Sequence, residues 1–600
     1  TEVAIKRHPY KAVKPDYEET WHFEEDSNSD YGLLCYDIEC EQKDFGLCVL
    51  ICWLLSVHGV LTRGYFGGRH CIQRFQQMLL EYCQTGTLYV MGYNSNKFDA
   101  LYVFNEFPGR LISYLLSSTF ITELIYETKY CVIKTRDLRM YISTGNLASI
   151  ARSIKLEKLD GAVKELTFGN WRNYITYCYR DVEIVYKAWI KKVLRGFSII
   201  EGTVISNIRN VIQFQSQAQI AFQCVIADRV LYNIKDELYL YGQQSYYGAR
   251  VDSMIYGQKR FVKNWCFDIR SLYPAGMNNP MPSGKFKCVQ RYKVDWVMFR
   301  AEEYLPFVCT VELEKQMSKD TLTQHYGILP LRYENQLHYL NSGHIKNVYT
   351  CIDIEVAIAD GWIVKDAYNF IVWERWDSGL AEFYKKWYGV KKSKPKNSTD
   401  YWFAKIVLNS SIGKFCQKPK EGRNKKPSYI GWFCLSYTRW LHLQLKRLLL
   451  EIQTASKRPV YVYYGDTDSV FIEEWVKEYI ERQHPEMLLD ELGDKDNLYG
   501  DFEGCGEFIV VIAKKMMHNG TKCAHKGHRL VTAQMMADVL TKDSATEYES
   551  PYRYTQVDKG KFYGEVTPFV PRSRALRMNV PTFRIKYNSY YVMQHVKCLY

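Results

Sequence analysis

The alternation of apolar and polar positions divides this 600-residue chain into distinct stretches. Residues 1 to 30 are polar and charged and read as a tail. From Gly32 a strand-like run leads into Tyr36-Asp37-Ile38-Glu39, and strands and helices then alternate to about residue 190. That is the pattern of an α/β domain around a central sheet. Ile175 to Leu194 has helical periodicity and would close it. Residues 195 to 260 read as connecting helices ending in a turn-like Tyr246-Tyr247-Gly248-Ala249-Arg250, and an apolar strand, Asn264 to Asp268, follows. Residues 379 to 416 read as two helices joined by a Lys/Pro/Ser/Thr loop at 393–400. An amphipathic helix is expected over Ser436 to Ile452. Two β-prone runs, Val460 to Tyr463 and Val470 to Ile472, then flank Gly465-Asp466-Thr467-Asp468 and predict a hairpin with those four residues at its turn. Residues 476–500 are charged and contain no β-run, and 501–600 mix strands with basic loops. No internal repeat is visible.

This length exceeds one ordinary core and predicts two to four domains. Composition is globular, 47% hydrophobic and 24% charged, and the 15% aromatic share, with 49 Tyr, suits nucleotide-stacking surfaces as well as β-rich cores. The net charge of +13 is mild, but it gathers in Lys385 to Lys396 and again in Lys418 to Lys426. Two basic runs near one helix predict a phosphate-facing surface. The 18 cysteines contain no Cys-x-x-Cys, which points to free thiols in a reducing compartment. Cys523, His525 and His528, with His518 nearby, fit no standard zinc spacing. The longest apolar run, Cys48 to Leu61, is too short to span a bilayer. No signal peptide is visible, and a chain starting at Thr1 reads as a fragment or a processed product.

The chemistry-bearing residues fall into two sets. Asp466 and Asp468 sit one residue apart and repel each other, for which a divalent cation is the usual remedy. Asp268, at the end of its strand, would complete a three-carboxylate cluster, the ligand set for two Mg²⁺ ions in phosphoryl transfer. The turn after it, Ser271-Leu272-Tyr273, would offer backbone N–H groups to a triphosphate. Lys405, Asn409 and Ile412 share one helical face, and Lys405 there would neutralise phosphate and protonate leaving pyrophosphate. Lys391 is a second phosphate candidate. Upstream, Asp37 and Glu39 face one way on a strand, Asp99 closes Asn94 to Asp99, and Tyr177 and Asp181 share a helical face. Four carboxylates and a tyrosine suit two-metal hydrolysis of a phosphodiester, with Tyr177 orienting the water.

In this order the motifs resemble those of family B DNA polymerases. Asp37-Ile38-Glu39, Asn94 to Asp99 and Tyr177 to Asp181 resemble the three motifs of the 3′→5′ proofreading exonuclease. Asp268 to Pro274, Lys405 to Gly413 and Tyr464 to Ser469 resemble polymerase motifs A, B and C. The likeness spans about residues 31 to 530. It is nearest to the protein-primed branch, used by linear-genome phages, adenoviruses, linear plasmids and related elements. The 137 residues between Asp268 and Lys405 (405 − 268) leave room for that branch's terminal-protein region. Tyr246 to Ala249 resembles its Tyr-x-Gly-Gly/Ala linker, and Ala513 to Met517 its Lys-x-Tyr primer motif.

The resemblance implies an α/β and α+β multidomain protein, an RNase H-like exonuclease domain plus a right-hand palm, fingers and thumb polymerase. Its expected divisions are a tail (1–30), exonuclease (31–194), connecting segment (195–260), palm (261–378) with a terminal-protein-like insertion at about 291–373, fingers (379–417), palm with a shortened second insertion (418–500) and thumb (501–600). It implies two Mg²⁺ ions per site, with Mn²⁺ as the alternative. Asp268, Asp466 and Asp468 would hold one pair, and Asp37, Glu39, Asp99 and Asp181 the other. Ser271, Leu272, Tyr273, Lys391, Lys405 and Asn409 would meet the nucleotide, with Tyr273 excluding a 2′-hydroxyl. Asn94, Phe98, Asn146, Leu147, Tyr246, Gly248, Lys515 and Lys526 would meet DNA or the primer. The implied partners are template-primer DNA, dNTPs and a terminal priming protein, with no membrane. The protein would act as a monomer or as a heterodimer with the terminal protein, in the host nucleus, cytoplasm or mitochondrion.

Three departures stand out. Ile412 replaces the usual Tyr of motif B, Met517 replaces the Tyr of Lys-x-Tyr, and Asn146-Leu147 stands for Ser/Thr-Leu. The short Phe415 to Ser436 stretch implies a truncated second insertion and weaker strand displacement. The alternatives are a family B polymerase using ordinary nucleic-acid primers, an exonuclease alone, and a catalytically inactive DNA-binding scaffold.

Overall fold

The computed structural model describes residues 31–599 except 41–47, 58–59, 69, 83–85, 117–120, 143–145, 160–170, 195–210, 227–228, 230, 235, 397, 418–426, 526–530, 543–545, 553–554, 558–563, 567–569, 577–583, 588–589 and 594–595. The chain divides into two compact units, residues 1–220 with 551–571, and residues 221–550 with 572–600. The boundary falls after Ile220, beyond the expected division at 194.

The first unit is built on a seven-stranded sheet. Its strands are β1 (Tyr31–Cys40), β2 (Cys48–Val57), β3 (Val60–Gly67), β4 (Thr87–Gly92), β5 (Arg110–Leu116), β6 (Ile121–Glu127) and β7 (Val132–Asp137), in the order β3-β2-β1-β4-β7-β6-β5. β1, β3, β4 and β7 run in one direction and β2 alone among these five runs antiparallel, between β1 and β3, which is the RNase H-like arrangement. β1 lies at the centre of this five-strand core, and Leu33, Leu34, Cys35 and Tyr36 are all buried. A strand covered on both faces reads as a continuous apolar run. The helices are α1 (Cys71–Glu81), α2 (Asp99–Val103), α3 (Leu147–Ser153) and α4 (Trp171–Ala188). α4 continues as a π-helical turn, Trp189–Leu194. The carboxyl ends of β1, β4 and β7 point the same way, so Glu39, the Asn94 turn and Asp137 gather at one edge, where α/β sheets carry their ligands.

The second unit contains a five-stranded antiparallel sheet ordered Gly500–Gly506, Asn264–Ile269, Ser469–Glu473, Val462–Asp466, Val251–Ser253. Two strands of the expected connecting segment therefore belong to sheets: Val251–Ser253 here, and Tyr256–Arg260 in a six-stranded sheet with Ile509–Ala513 and Tyr590–Met593. Gly500–Gly506, expected to open the thumb, is likewise an edge of the first sheet. A separate five-stranded sheet fills the 291–373 region with Phe307–Lys315, Gly343–Thr350 and Ile363–Asp377, and Met281–Val289 extends it N-terminally. The expected helix pair is present as Gly379–Ser393 and Thr399–Phe415, the second capped by Ser398 Oγ accepting from the Tyr401 N–H at 3.1 Å. The long helix spans Tyr429–Ser456 and so starts before Ser436. Its first turns are buried on every side, from Tyr429 to Arg439, so no amphipathic period marks them.

Candidate functional site

Two carboxylate centres emerge, one in each unit. In the second unit, Asp268 lies opposite Ser469 on one side and Asp501 on the other. The Ile269 N–H donates to the Asp468 carbonyl at 2.6 Å, which locks the strand end against the hairpin. At the tip, the Asp468 N–H donates to the Asp466 carbonyl at 2.8 Å around Thr467, whose φ is +62°. A β-branched residue in the left-handed region stores strain. The Thr467 N–H donates to the Arg250 carbonyl at 2.5 Å, and its own carbonyl lies 3.0 Å from His442 Nε2. Gly465 allows the strands to close, since a Cβ there would stand 3.0 Å from the Ser469 carbonyl.

The acids crowd one another unequally. Burial, then the Asp468 charge, then Glu503 push the Asp268 carboxyl up to about 7. Asp468 is raised chiefly by burial, with the Asp466 charge adding. Asp466 turns elsewhere: its oxygens accept from Thr467 Oγ1 at 3.1 Å and Tyr464 OH at 3.4 Å, and Lys515 Nζ lies 3.6 Å away. Lys522 Nζ pairs with Glu503 at 3.0 Å, and its positive charge lowers Asp268 and Asp468. Asp268, Asp466 and Asp468 do not form a compact donor triad among the described residues.

Beside the acids, Lys391 Nζ donates to Ser271 Oγ at 3.1 Å across the turn that follows Asp268. Ser271 has φ +49° and opens the helix Leu272–Met277. Burial lowers Lys391, and Lys405 is among the charges bearing on it, so the two ammonium groups are neighbours on the paired helices. Lys405 also lies over the Trp402 ring, 5.0 Å from its centroid. Tyr273 is half-buried with Asp468 and Tyr246 among its neighbours, and Asn409 is exposed. Leu272 is buried, so only its backbone remains for a nucleotide. Ile412 and Met517 are buried too. Lys515 holds φ +59° in the turn between Ile509–Ala513 and Met516–His518. The linker motif is clamped from both sides: the Tyr247 carbonyl accepts from Arg439 Nη1 at 3.1 Å and the Gly248 carbonyl from Tyr339 OH at 3.3 Å. A Cβ at Gly248 would meet nothing within 4 Å. Lys526 lies outside the described residues. His518 stacks on Phe508 and its Nδ1 accepts from the Gly520 N–H at 2.9 Å, so it is engaged within its own turn.

In the first unit, Asp37 and Glu39 project from β1, and α4 packs across that strand. One donor set among the described residues lies within 4.8 Å of itself, Asp37, Glu39 and Cys178. Burial, then Asp99, raises Asp37; burial, then Asp181, brings Glu39 up to about 7. Asp99 reaches about 8, through burial and then the Asp137 charge. Asp181 stands on α4 with Oδ2 bonded to Lys158 Nζ, which also donates to Tyr177 OH at 3.3 Å. Its Oδ1 is buried without a hydrogen-bond partner. Asp137 organises the Asn94 turn, accepting from the N–H groups of Asn94 (2.7 Å), Asn96 (3.2 Å) and Arg139 (2.9 Å). Asn94 holds φ +56°, and Phe98 packs on Tyr102 with ring centroids 5.0 Å apart. Asn146 is exposed and caps α3, its Oδ1 accepting from the Ser149 N–H at 2.9 Å. Leu147, beside it, is buried.

Sequence reasoning missed Asp137, Lys158, Cys178, His442, Glu503 and Lys522. Asp137 ends the strand Val132–Asp137, but Lys134, Thr135 and Arg136 directly before it leave no apolar run to mark it. The others lack any local signature.

Comparison with known proteins follows from this geometry. Residues 170–430 match the family described as DNA polymerase type B, organellar and viral. A DNA polymerase of Kluyveromyces lactis is 24% identical over 365 residues, covering 52% of this chain and 33% of that protein. The chain thus spans about a third of the length of the curated relative it matches. Phi29 DNA polymerase complexed with primer-template DNA and incoming nucleotide substrates has a TM-score of 0.62 at 16% identity, covering 92% of this chain and 99% of that one. Its orthorhombic form gives 0.61 at 14%, covering 92% and 100%. The fold is the multidomain fold of these structures, and residues 170–430 resemble the type B DNA polymerases of organelles and viruses.

Proposed function

We propose that this chain is a template-directed DNA polymerase with a 3′→5′ proofreading exonuclease, initiating on a hydroxyl of a terminal protein during replication of a linear viral or plasmid genome. The observation that carries the reading is the joining of Asp268 to the Asp468 turn, with Lys391 held across Ser271. The Asp468 charge raises Asp268 and the Glu39 charge raises Asp37, and acids crowded in this way fit a divalent cation. Mg²⁺, or Mn²⁺ in its place, would be held by Asp268, Asp466 and Asp468 and by Asp37, Glu39, Asp99 and Asp181, and supplies Lewis-acid polarisation of phosphate oxygens when bound.

In synthesis, a primer 3′-hydroxyl or a protein hydroxyl attacks the α-phosphorus of a dNTP, and the bond to the β-phosphate oxygen breaks. Lys391 and Lys405 stabilise the charge that develops on pyrophosphate, and either ammonium can donate a proton to it. Tyr273 packs under the sugar and leaves no room for a 2′-hydroxyl. Asn409, exposed on the same helix as Lys405, lines the nascent pair. Lys515, beside Asp466, engages the primer end, and the clamped Tyr246 to Ala249 segment guides the strand. In degradation, water attacks the terminal phosphodiester. Tyr177, fixed by Lys158, orients that water, and Asn94 and Phe98 hold the unpaired end. We place the protein in a reducing compartment of the host, which the free thiols support. Among the described residues no helix is long and apolar enough to cross a membrane.

The test is an extension and degradation assay on a primed template, with and without dNTPs, alongside transfer of labelled dNMP to a candidate terminal protein. Asp468→Ala should abolish synthesis and spare degradation, Asp37→Ala should do the reverse, and Asp466→Ala should reduce synthesis less completely. If either of the first two left both activities intact, the two-centre reading would fail. Extension of nucleic-acid primers without any protein-linked dNMP would favour ordinary priming.

A further inference from the structure

The motif reading assigned only oxygen donors to the first unit's centre, yet a sulfur sits among them. Cys178 is fully buried on α4, between Tyr177 and Tyr179. Its Sγ lies 3.5 Å from the Asp37 carbonyl and 3.7 Å from Asp37 Oδ2. Asp37, Glu39 and Cys178 each bring a ligand atom within 4.8 Å of the others. Asp181, whose charge bears on both Asp37 and Glu39, has a buried Oδ1 without a hydrogen-bond partner. That orphaned oxygen is an independent sign of a missing cation.

We propose that this centre is a mixed oxygen–sulfur metal site in which Cys178 joins Asp37 and Glu39, and that the thiol gives it selective affinity for thiophilic divalent ions, Zn²⁺ and Cd²⁺. The chemistry follows from ligand softness. Mg²⁺ and Mn²⁺ take hard oxygen donors and gain little from sulfur, whereas Zn²⁺ and Cd²⁺ form strong bonds to thiolate. On binding, the Cys178 S–H bond breaks, the sulfur lone pair goes to the metal and one proton passes to solvent. Cys52, opposite Asp37 on β2, lies against Cys178 but its own Sγ donates to the Ile175 carbonyl at 3.8 Å, so it acts as a positioning residue. The consequence rests on the exonuclease reading: trace zinc or cadmium would arrest degradation while synthesis, at an all-oxygen centre, continues.

The experiment titrates the full chain with Cd²⁺, Zn²⁺ and Mn²⁺. The ultraviolet charge-transfer absorption of cadmium thiolate and competition against a chelating dye report binding without reference to activity. A Cys71→Ser background removes the nearby Cys48–Cys71 pair, whose sulfurs lie 3.6 Å apart and would take the same ions. In that background Cys178→Ser should lose one thiolate band and weaken Zn²⁺ and Cd²⁺ binding by about tenfold or more, with Mn²⁺ unchanged. Asp37→Asn should lose the same band, and Cys52→Ala should keep it. An unchanged band and unchanged affinities in Cys178→Ser would overturn the proposal. If Cys178→Ser does not fold, zinc X-ray absorption of the Cys71→Ser protein decides, since an all-oxygen first shell at one equivalent would overturn it and a sulfur would support it. Failure of the underlying reading is separable: a protein that binds Cd²⁺ through Cys178 but degrades no DNA with Mg²⁺ keeps this site and loses the exonuclease.

Discussion

His442 Nε2 donates to the carbonyl of Thr467 across 3.0 Å, and Tyr326 OH bonds the other ring nitrogen, Nδ1, at the same distance. A buried pair of hydrogen bonds thus holds the strained residue between Asp466 and Asp468. Removing one partner from a buried hydrogen bond costs about 1–3 kcal/mol. His442→Ala is therefore expected to lower the unfolding midpoint and reduce synthesis while sparing degradation, read by thermal melts and by the two assays in parallel. Burial holds the imidazole down to about 3. Its folded value lies below the unfolded 6.5, so its contribution is present above pH 6.5 and is lost as pH falls toward 3. The wild type should lose stability across that window faster than His442→Gln, and parallel curves would refute the assignment.

The carboxylates have the opposite sign. Asp268 and Glu39 sit at about 7 and Asp99 at about 8, all above their unfolded values. The folded protein binds protons there that the unfolded chain does not, so metal-free stability falls as pH rises from about 4 through 8. Melts in a chelator should show that slope. Asp268→Asn and Glu39→Gln should each flatten it, and saturating Mn²⁺ should remove most of it.

Lys391 is half-buried, lowered by its burial, and bonded to Ser271. Its ammonium is placed to gain more from a triphosphate than from its present partner. Lys391→Ala should raise the KM for dNTP by about tenfold or more, the size of one charge-assisted contact. The Kd for DNA should not change, as measured by anisotropy on the same preparation.

Arg439 and Asp353 form a buried pair, Nε to Oδ1 at 2.6 Å, and Arg439 also holds the Tyr247 carbonyl. Breaking such a pair by removing one partner costs about 3–5 kcal/mol. Arg439→Ala should therefore destabilise the second unit strongly, and the double variant with Asp353→Ala should recover part of the loss in denaturant titrations. Equal destabilisation by the single and double variants would show that the two charges do not depend on each other.

Much of this was legible from local pattern. The hairpin, the helix pair, the strand ending in Asp268 and the alternation of Asp37 with Glu39 follow from periods of two and 3.6 residues, which neighbours in sequence suffice to set. The start of the long helix at Tyr429 was not legible, because burial on all sides erases the period. Nor were the short strands Val251–Ser253 and Tyr256–Arg260, which are defined by pairing with strands distant in sequence, Val462–Asp466 and Ile509–Ala513.

By itself the sequence determined which acids stand at strand ends and turns, and hence that there are two carboxylate sets, because those positions depend on backbone geometry a few residues wide. Only the tertiary structure decided what surrounds each acid. Lys158 bonds Asp181, Cys178 joins Asp37, Lys522 bears on Asp268 and Asp468, and His442 fixes Thr467. Those pairings join different elements, and it is burial and charge at the meeting point of elements, not spacing along the chain, that set the chemistry of a carboxylate.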